Sequence, residues 1–120
     1  KELAPACVRY GIGLIPFFPL ASGLLTGKYH RGEPAPPGTR LAARPDALND
    51  QAFSKVEALE RYARQRGVGL LDVAIGGLAA QPAVSSVISG ATRPEQVRAN
   101  AAAGEWVPTE EDLTDLKAIG

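Results

Sequence analysis

The spacing of apolar positions changes several times along the chain, and each change marks an element. Leu14, Ile15, Pro16, Phe17 and Phe18 are apolar on both faces, the pattern of a strand buried in a parallel sheet. Pro16 offers no N–H to a ladder, which points to a strand end or a bulge. Val87 and Ile88 are β-branched and Gly90 follows, so a second strand is expected over 85–89. Elsewhere the spacing is three and four. Phe53, Val56, Leu59 and Ala63 predict a helix capped by Asn49 or Asp50 and ended by Gly67. Leu71, Ala74, Ile75 and Leu78 predict another from about 70 to 80, terminated by Pro82. Gly76 and Gly77 inside it cost about 1 kcal/mol each against Ala; they either admit a close neighbour or weaken the helix.

A short helix over 2–9 opens the chain, and another runs from about 93 to 102. Leu113, Leu116 and Ile119 stripe a last helix that Thr109 opens. Residues 30–50 read as loop, since Pro34, Pro36, Pro37 and Gly38 forbid regular structure. So long a connection is usually a lid, a binding loop or disordered. The order is helix, strand, long loop, two helices, strand, two helices, and such alternation argues for an α/β fold with parallel pairing.

The 120 residues suffice for one domain. Thirteen basic side chains balance thirteen acidic ones, so nothing draws the whole chain to nucleic acid or an anionic membrane. No apolar run approaches the roughly 18 residues of a membrane helix. Cys7 is the one cysteine, which excludes an internal disulfide or a multi-cysteine metal site and points to a reducing compartment, the cytoplasm. The chain has no Met and opens at Lys1, in or next to a helix. That suggests the C-terminal piece of something longer, or a processed chain.

Some apparent motifs fail. Gly11-Ile12-Gly13 precedes a strand instead of following one and lacks the third Gly of a dinucleotide fingerprint. Gly23 and Gly27 are one residue too close for a phosphate-binding P-loop, and Tyr29 stands where it needs Ser or Thr. Lys28 is either a point charge for phosphate or a solvated Lys. His30, alone in its loop, has no nucleophile or carboxylate partner and reads as solvated. Glu110, Glu111 and Asp112 suit the first turn of the last helix, where Thr109 and Asp112 approximate a capping box. The richest stretch is 86–100. A strand, a turn and a helix start follow one another there, with Thr92 capping and Glu95 completing a box, or with Arg93 as cap and Pro94 at the first helical position. Either way, a helix N-terminus beside a cationic Arg93 suits phosphate.

Two long segments carry a resemblance. Residues 17–29 (FFPLASGLLTGKY) resemble the seventh-strand loop of the aldo-keto reductases, and residues 89–100 (SGATRPEQVRAN) resemble the eighth-strand loop and helix of that family. The Pro-rich loop, the helix pair, Gln81-Pro82 and the last helix fall in the family's order, so the resemblance covers essentially the whole chain. It implies the C-terminal portion of a (β/α)8 barrel: strands seven and eight, their helices and a C-terminal auxiliary helix. Residues 1–120 would form a single partial domain, since a whole barrel takes about 250 residues.

The resemblance further implies NADPH as cofactor and hydride transfer to a small carbonyl substrate in an intact parent. Pro19, Leu20, Ala21, Ser22 and Gly23 would run under the pyrophosphate and ribose, and Lys28 and Arg40 would meet phosphate. Gly90, Thr92, Arg93, Gln96 and Asn100 would hold the adenosine end and its 2′-phosphate. Gly90 and Gln96 stand where another branch has Lys and Arg, which points to the branch of potassium-channel β subunits and bacterial oxidoreductases. Many relatives carry Ser at Phe18, so one hydroxyl contact is lost. Nearer relatives often carry Trp at Gly77, so a packing gap is expected there. The family's Asp, Tyr, Lys and His tetrad has no counterpart here, and no residue of this chain, Tyr10, Tyr29, Tyr62 and His30 included, is assigned a catalytic role. The readings are the cofactor-binding part of a reductase, a nucleotide-sensing accessory subunit, or an inactive truncated product. Either self-association or the missing part of the barrel would cover the open strands.

Overall fold

The computed structural model describes residues 2–119. The helices are α1 (Leu3–Tyr10), α2 (Asp50–Arg66), α3 (Leu70–Ala79), α4 (Pro94–Ala103) and α5 (Glu110–Ile119). Short 3-10 turns run over Ala21–Thr26, Arg40–Ala43 and Pro45–Ala47. The last two correct the expectation that 30–50 lacks all regular structure: 3-10 turns close in three residues and fit between the prolines.

The helix ends follow from local chemistry. Asn49, not Asp50, caps α2, its side chain accepting the Ala52 N–H at 3.0 Å. Gly67 closes that helix at φ +70°. For α4 the Arg93–Pro94 register holds, so the Thr92–Glu95 box does not form. The proline's fixed φ suits the first turn. The Gln96 side-chain oxygen takes the Thr92 and Arg93 N–H groups at 2.8 and 3.2 Å, and Glu95 pairs with Arg93 instead. At α5 the expected box is present: Asp112 accepts from Thr109 N–H at 2.8 Å, and Thr109 Oγ1 accepts from Asp112 N–H at 3.1 Å.

The strands expected over 14–18 and 85–89 do not form ladders. Among the described residues a single parallel bridge joins Leu14 to Val84. Leu14 N–H donates to Ala83 at 2.7 Å, and Ser85 N–H donates to Leu14 at 2.9 Å. The direction is the expected one, but a ladder needs neighbours on both sides and Pro16 supplies no donor. Gly13 permits the approach: a Cβ there would lie 1.9 Å from Ser85 Oγ. Beyond the bridge, Ile15 is 57% and Phe17 86% exposed, and Ile88 is exposed while Val87 is half-buried.

The helices pack better. Tyr62, Ala63 and Val73 are buried with Leu59, Val68, Trp106, Leu116 and Ile119 against them. At Gly76 a Cβ would sit 2.6 Å from the Trp106 carbonyl oxygen, and at Gly77 3.1 Å from Leu116 Cδ1. The glycine pair therefore serves close packing, and Leu116 and Trp106 cover Gly77 where a gap was expected. A second cluster of Tyr29, Leu41 and Phe53, with Leu24, Ala35, Ala47 and Leu48 around it, lies under the long loop.

Candidate functional site

The residues singled out from sequence fall into two groups, and α3 packs against elements of both. The first surrounds the Ala21–Thr26 turn. Phe18, Ala21 and Ser22 hold left-handed backbone at φ +52°, +47° and +59°, and Gly23 follows at +96°. Three non-glycine residues in that region within five positions is a costly arrangement, of the kind that clusters at ligand-binding loops. Pro19, Leu20, Ser22 and Gly23 are half-buried; Ala21 is exposed. Lys28 folds back over this turn. A Cβ on Gly23 would come within 3.0 Å of Lys28 Cε and Nζ, so the absent side chain makes room for the cation. The ammonium also lies 5.5 Å from the Tyr29 ring centre.

Tyr29 joins the turn to Arg40. Its ring is buried, and its hydroxyl accepts the Leu41 N–H at 3.4 Å. Arg40 is exposed beside that contact. Lys28 and the residue after Arg40, Leu41, thus both meet one buried aromatic residue.

The second group is the start of α4. Gly90, Thr92 and Arg93 are exposed, and nothing lies within 4 Å of a Cβ built on Gly90. Gln96 is spent on the loop, bonding Thr92 and Arg93 backbone. Asn100 lines a groove with Val87, Ser89, Ile75 and Ala79. The donor set of cations, hydroxyls, amides and a helix N-terminus fits phosphate and ribose groups. Glu95 lies 3.2 Å from Arg93, and an anion would compete with that exposed pair.

Sequence reasoning missed Arg31. Its guanidinium donates to Glu57 at 2.9 Å and to Ser54 at 3.1 Å, and it pairs with Asp50. The Glu57 bond holds Arg31 above its ordinary value and Glu57 below it. The partners lie 19 to 26 positions away, beyond any local pattern; an isolated Arg entering a Pro-rich loop was the only signal.

In the acidic turn of α5, Asp112 ties the helix to its neighbours. Asp112 is buried, accepts the Tyr62 hydroxyl and lies 2.9 Å from Arg66. The Tyr62 hydroxyl and the Thr109 backbone hold its carboxyl below the usual range, while burial and the Asp112 bond push the Tyr62 phenol up. The trio clamps α5 to α2.

Residues 1–120 match the Aldo/keto reductase family. The chain is 41% identical to a probable voltage-gated potassium channel β subunit of Arabidopsis thaliana, over 89% of this chain and 34% of that protein. It is 35% identical to an NADH-specific methylglyoxal reductase of Escherichia coli, over 99% of this chain and 37% of that protein. The structure of a glycerol dehydrogenase from Gluconobacter oxydans superposes with a TM-score of 0.77 at 23% identity, covering 99% of this chain and 37% of the dehydrogenase; at that identity the likeness is one of fold. The chain spans about a third of the length of these relatives. The family's sequence runs through the whole chain, both groups of site residues included, and the chain belongs to the aldo/keto reductase family.

Proposed function

We propose that residues 1–120 are the C-terminal, nucleotide-binding portion of a (β/α)8 oxidoreductase, with segments 14–18 and 85–89 as its seventh and eighth strands. The observation that carries this is the strained turn at 18–23 with the Lys28 ammonium folded over Gly23. Such strain persists only where the surroundings enforce it, and it gathers at ligand clamps. Pro19, Leu20, Ala21, Ser22 and Gly23 would carry the cofactor's pyrophosphate and ribose. Lys28 and Arg40 would bind phosphate, and Gly90, Thr92, Arg93, Gln96 and Asn100 the adenosine end. The cofactor is NADPH, which when bound supplies a hydride to a small carbonyl compound. This chain's residues hold and orient it, and the acid–base groups come from elsewhere. The working place is the cytoplasm.

Arg93 decides between phosphorylated and unphosphorylated cofactor, a real choice because one relative is NADH-specific. A charge-assisted bond to a 2′-phosphate contributes about 1.5–3 kcal/mol. Arg93→Ala should therefore weaken NADPH binding about ten- to a hundredfold and leave NADH nearly unchanged, as read by nucleotide titration. Equal losses for both would overturn the choice of NADPH. The 41% identity to a channel β subunit favours a second reading, a nucleotide-sensing accessory subunit. Supplied with NADPH and aromatic aldehydes, the chain by itself should oxidise no nucleotide; protein-dependent oxidation would reveal an unassigned proton donor.

A further inference from the structure

We propose that Arg31 is a positioning residue that anchors the segment presenting Lys28 and Arg40 to a nucleotide's phosphates; this rests on the nucleotide-binding reading above. The long loop is held by short 3-10 turns and by the apolar cluster beneath it. Its cluster places Tyr29 and Leu41 against Phe53 of α2, and Arg31 fastens that seam from outside. The guanidinium lies 5.7 Å from the Phe53 ring centre. The Nε–Nη2 edge donates to both Glu57 oxygens at 2.9 and 3.4 Å; Nη2 also lies 3.1 Å from Ser54 Oγ and 3.3 Å from the Asp50 carbonyl, and Nη1 meets the Asp50 carboxylate.

A single exposed ion pair contributes little, but a fork shared among several partners on one rigid helix is the exception. Arg31 follows Lys28 by three residues, with the buried Tyr29 between them. Locking Arg31 to α2 therefore fixes where the chain leaves Tyr29. It fixes Lys28 over Gly23 on one side and, through the Tyr29 hydroxyl and Leu41 N–H, Arg40 on the other. Without the anchor the two cations would still be present but would have to be ordered during binding, and that entropy would come out of the affinity.

The test is NADPH titration of the full chain, with helix content checked by far-UV circular dichroism. Arg31→Ala should raise the Kd about three- to fivefold, and Glu57→Gln, which breaks half the fork, should raise it about twofold. Arg31→Lys, keeping the charge but not the fork, should recover only part of the loss. In a Lys28→Ala, Arg40→Ala background, Arg31→Ala should add less than about 1.5-fold, because nothing remains to position. Unchanged affinity in folded Arg31→Ala, or a full additional loss in the double-variant background, would overturn the role of Arg31 and leave the nucleotide site standing. No NADPH binding by the unaltered chain would overturn both. If Arg31→Ala loses its helices, Glu57→Gln and Arg31→Lys carry the same test.

Discussion

Phe53 and Phe17 are the same residue in one chain, and their surroundings are opposite. Phe53 is 6% exposed in the seam between α2 and the long loop; Phe17 is 86% exposed on the segment read as a strand. The contrast extends to the regions around them. Helices α2, α3 and α5 share a buried cluster, and Tyr62 and Arg66 of α2 tie to Asp112 of α5. The segments at 14–18 and 84–89 meet in one bridge and leave Ile15, Phe17 and Ile88 open. A helix satisfies its backbone internally, whereas a strand borrows its neighbours' hydrogen bonds and faces. The helices therefore complete their packing among the described residues, and the two extended segments do not.

Substitutions can break this contrast. The largest effect belongs to Phe53→Ala, expected to cost about 3–5 kcal/mol as a cavity opens under the loop, read by denaturant unfolding. Tyr62→Phe removes a bond to a buried carboxylate and should cost about 1.5–3 kcal/mol. It should also reshape the pH profile. The raised Tyr62 pKa contributes stability below its unfolded value near 10, lost as pH rises through the folded value. The lowered Asp112 pKa contributes stability above its unfolded value of about 3.8, lost as pH falls through the folded one. Tyr62→Phe should flatten the alkaline limb of a melting-temperature profile, and Asp112→Asn the acid limb. Gly76→Ala drives a methyl to 2.6 Å from a backbone oxygen and should cost about 1–3 kcal/mol despite better helix propensity. Gly77→Ala presses on the movable Leu116 tip and touches Trp106 Cζ3 at an ordinary 3.7 Å, and should stay near neutral. The smallest effect belongs to Phe17→Ser: stability should change by less than about 0.5 kcal/mol, while self-association, read by sedimentation, should fall, because open apolar strand edges recruit other chains.

What the sequence made legible was local. Asn49, Gly67 and Thr109 mark helix ends through bonds to residues three or four away, and the spacing of Phe53, Val56, Leu59 and Ala63 marks the face of α2. Arg93 and Pro94 were legible only as one of two registers, because Thr92 and Glu95 make an equally regular box on paper; Gln96 decides it by turning back on the loop. The strands were legible as apolar runs but not as ladders, since pairing depends on partners that periodicity cannot supply. Lys28 was legible as a cation, and its fold over Gly23 was not. Arg31 was invisible for the same reason, its partners lying a whole loop away.

Hydrogen–deuterium exchange across a dilution series tests the contrast most directly. The amides of α2, α3 and α5 should be protected at every concentration, while those at 15–18 and 86–89 should exchange near the unprotected rate when dilute and slow only as the chain associates. Protection at 15–18 and 86–89 equal to that of α2 in the most dilute sample would contradict the account, because these segments would then be paired within the chain.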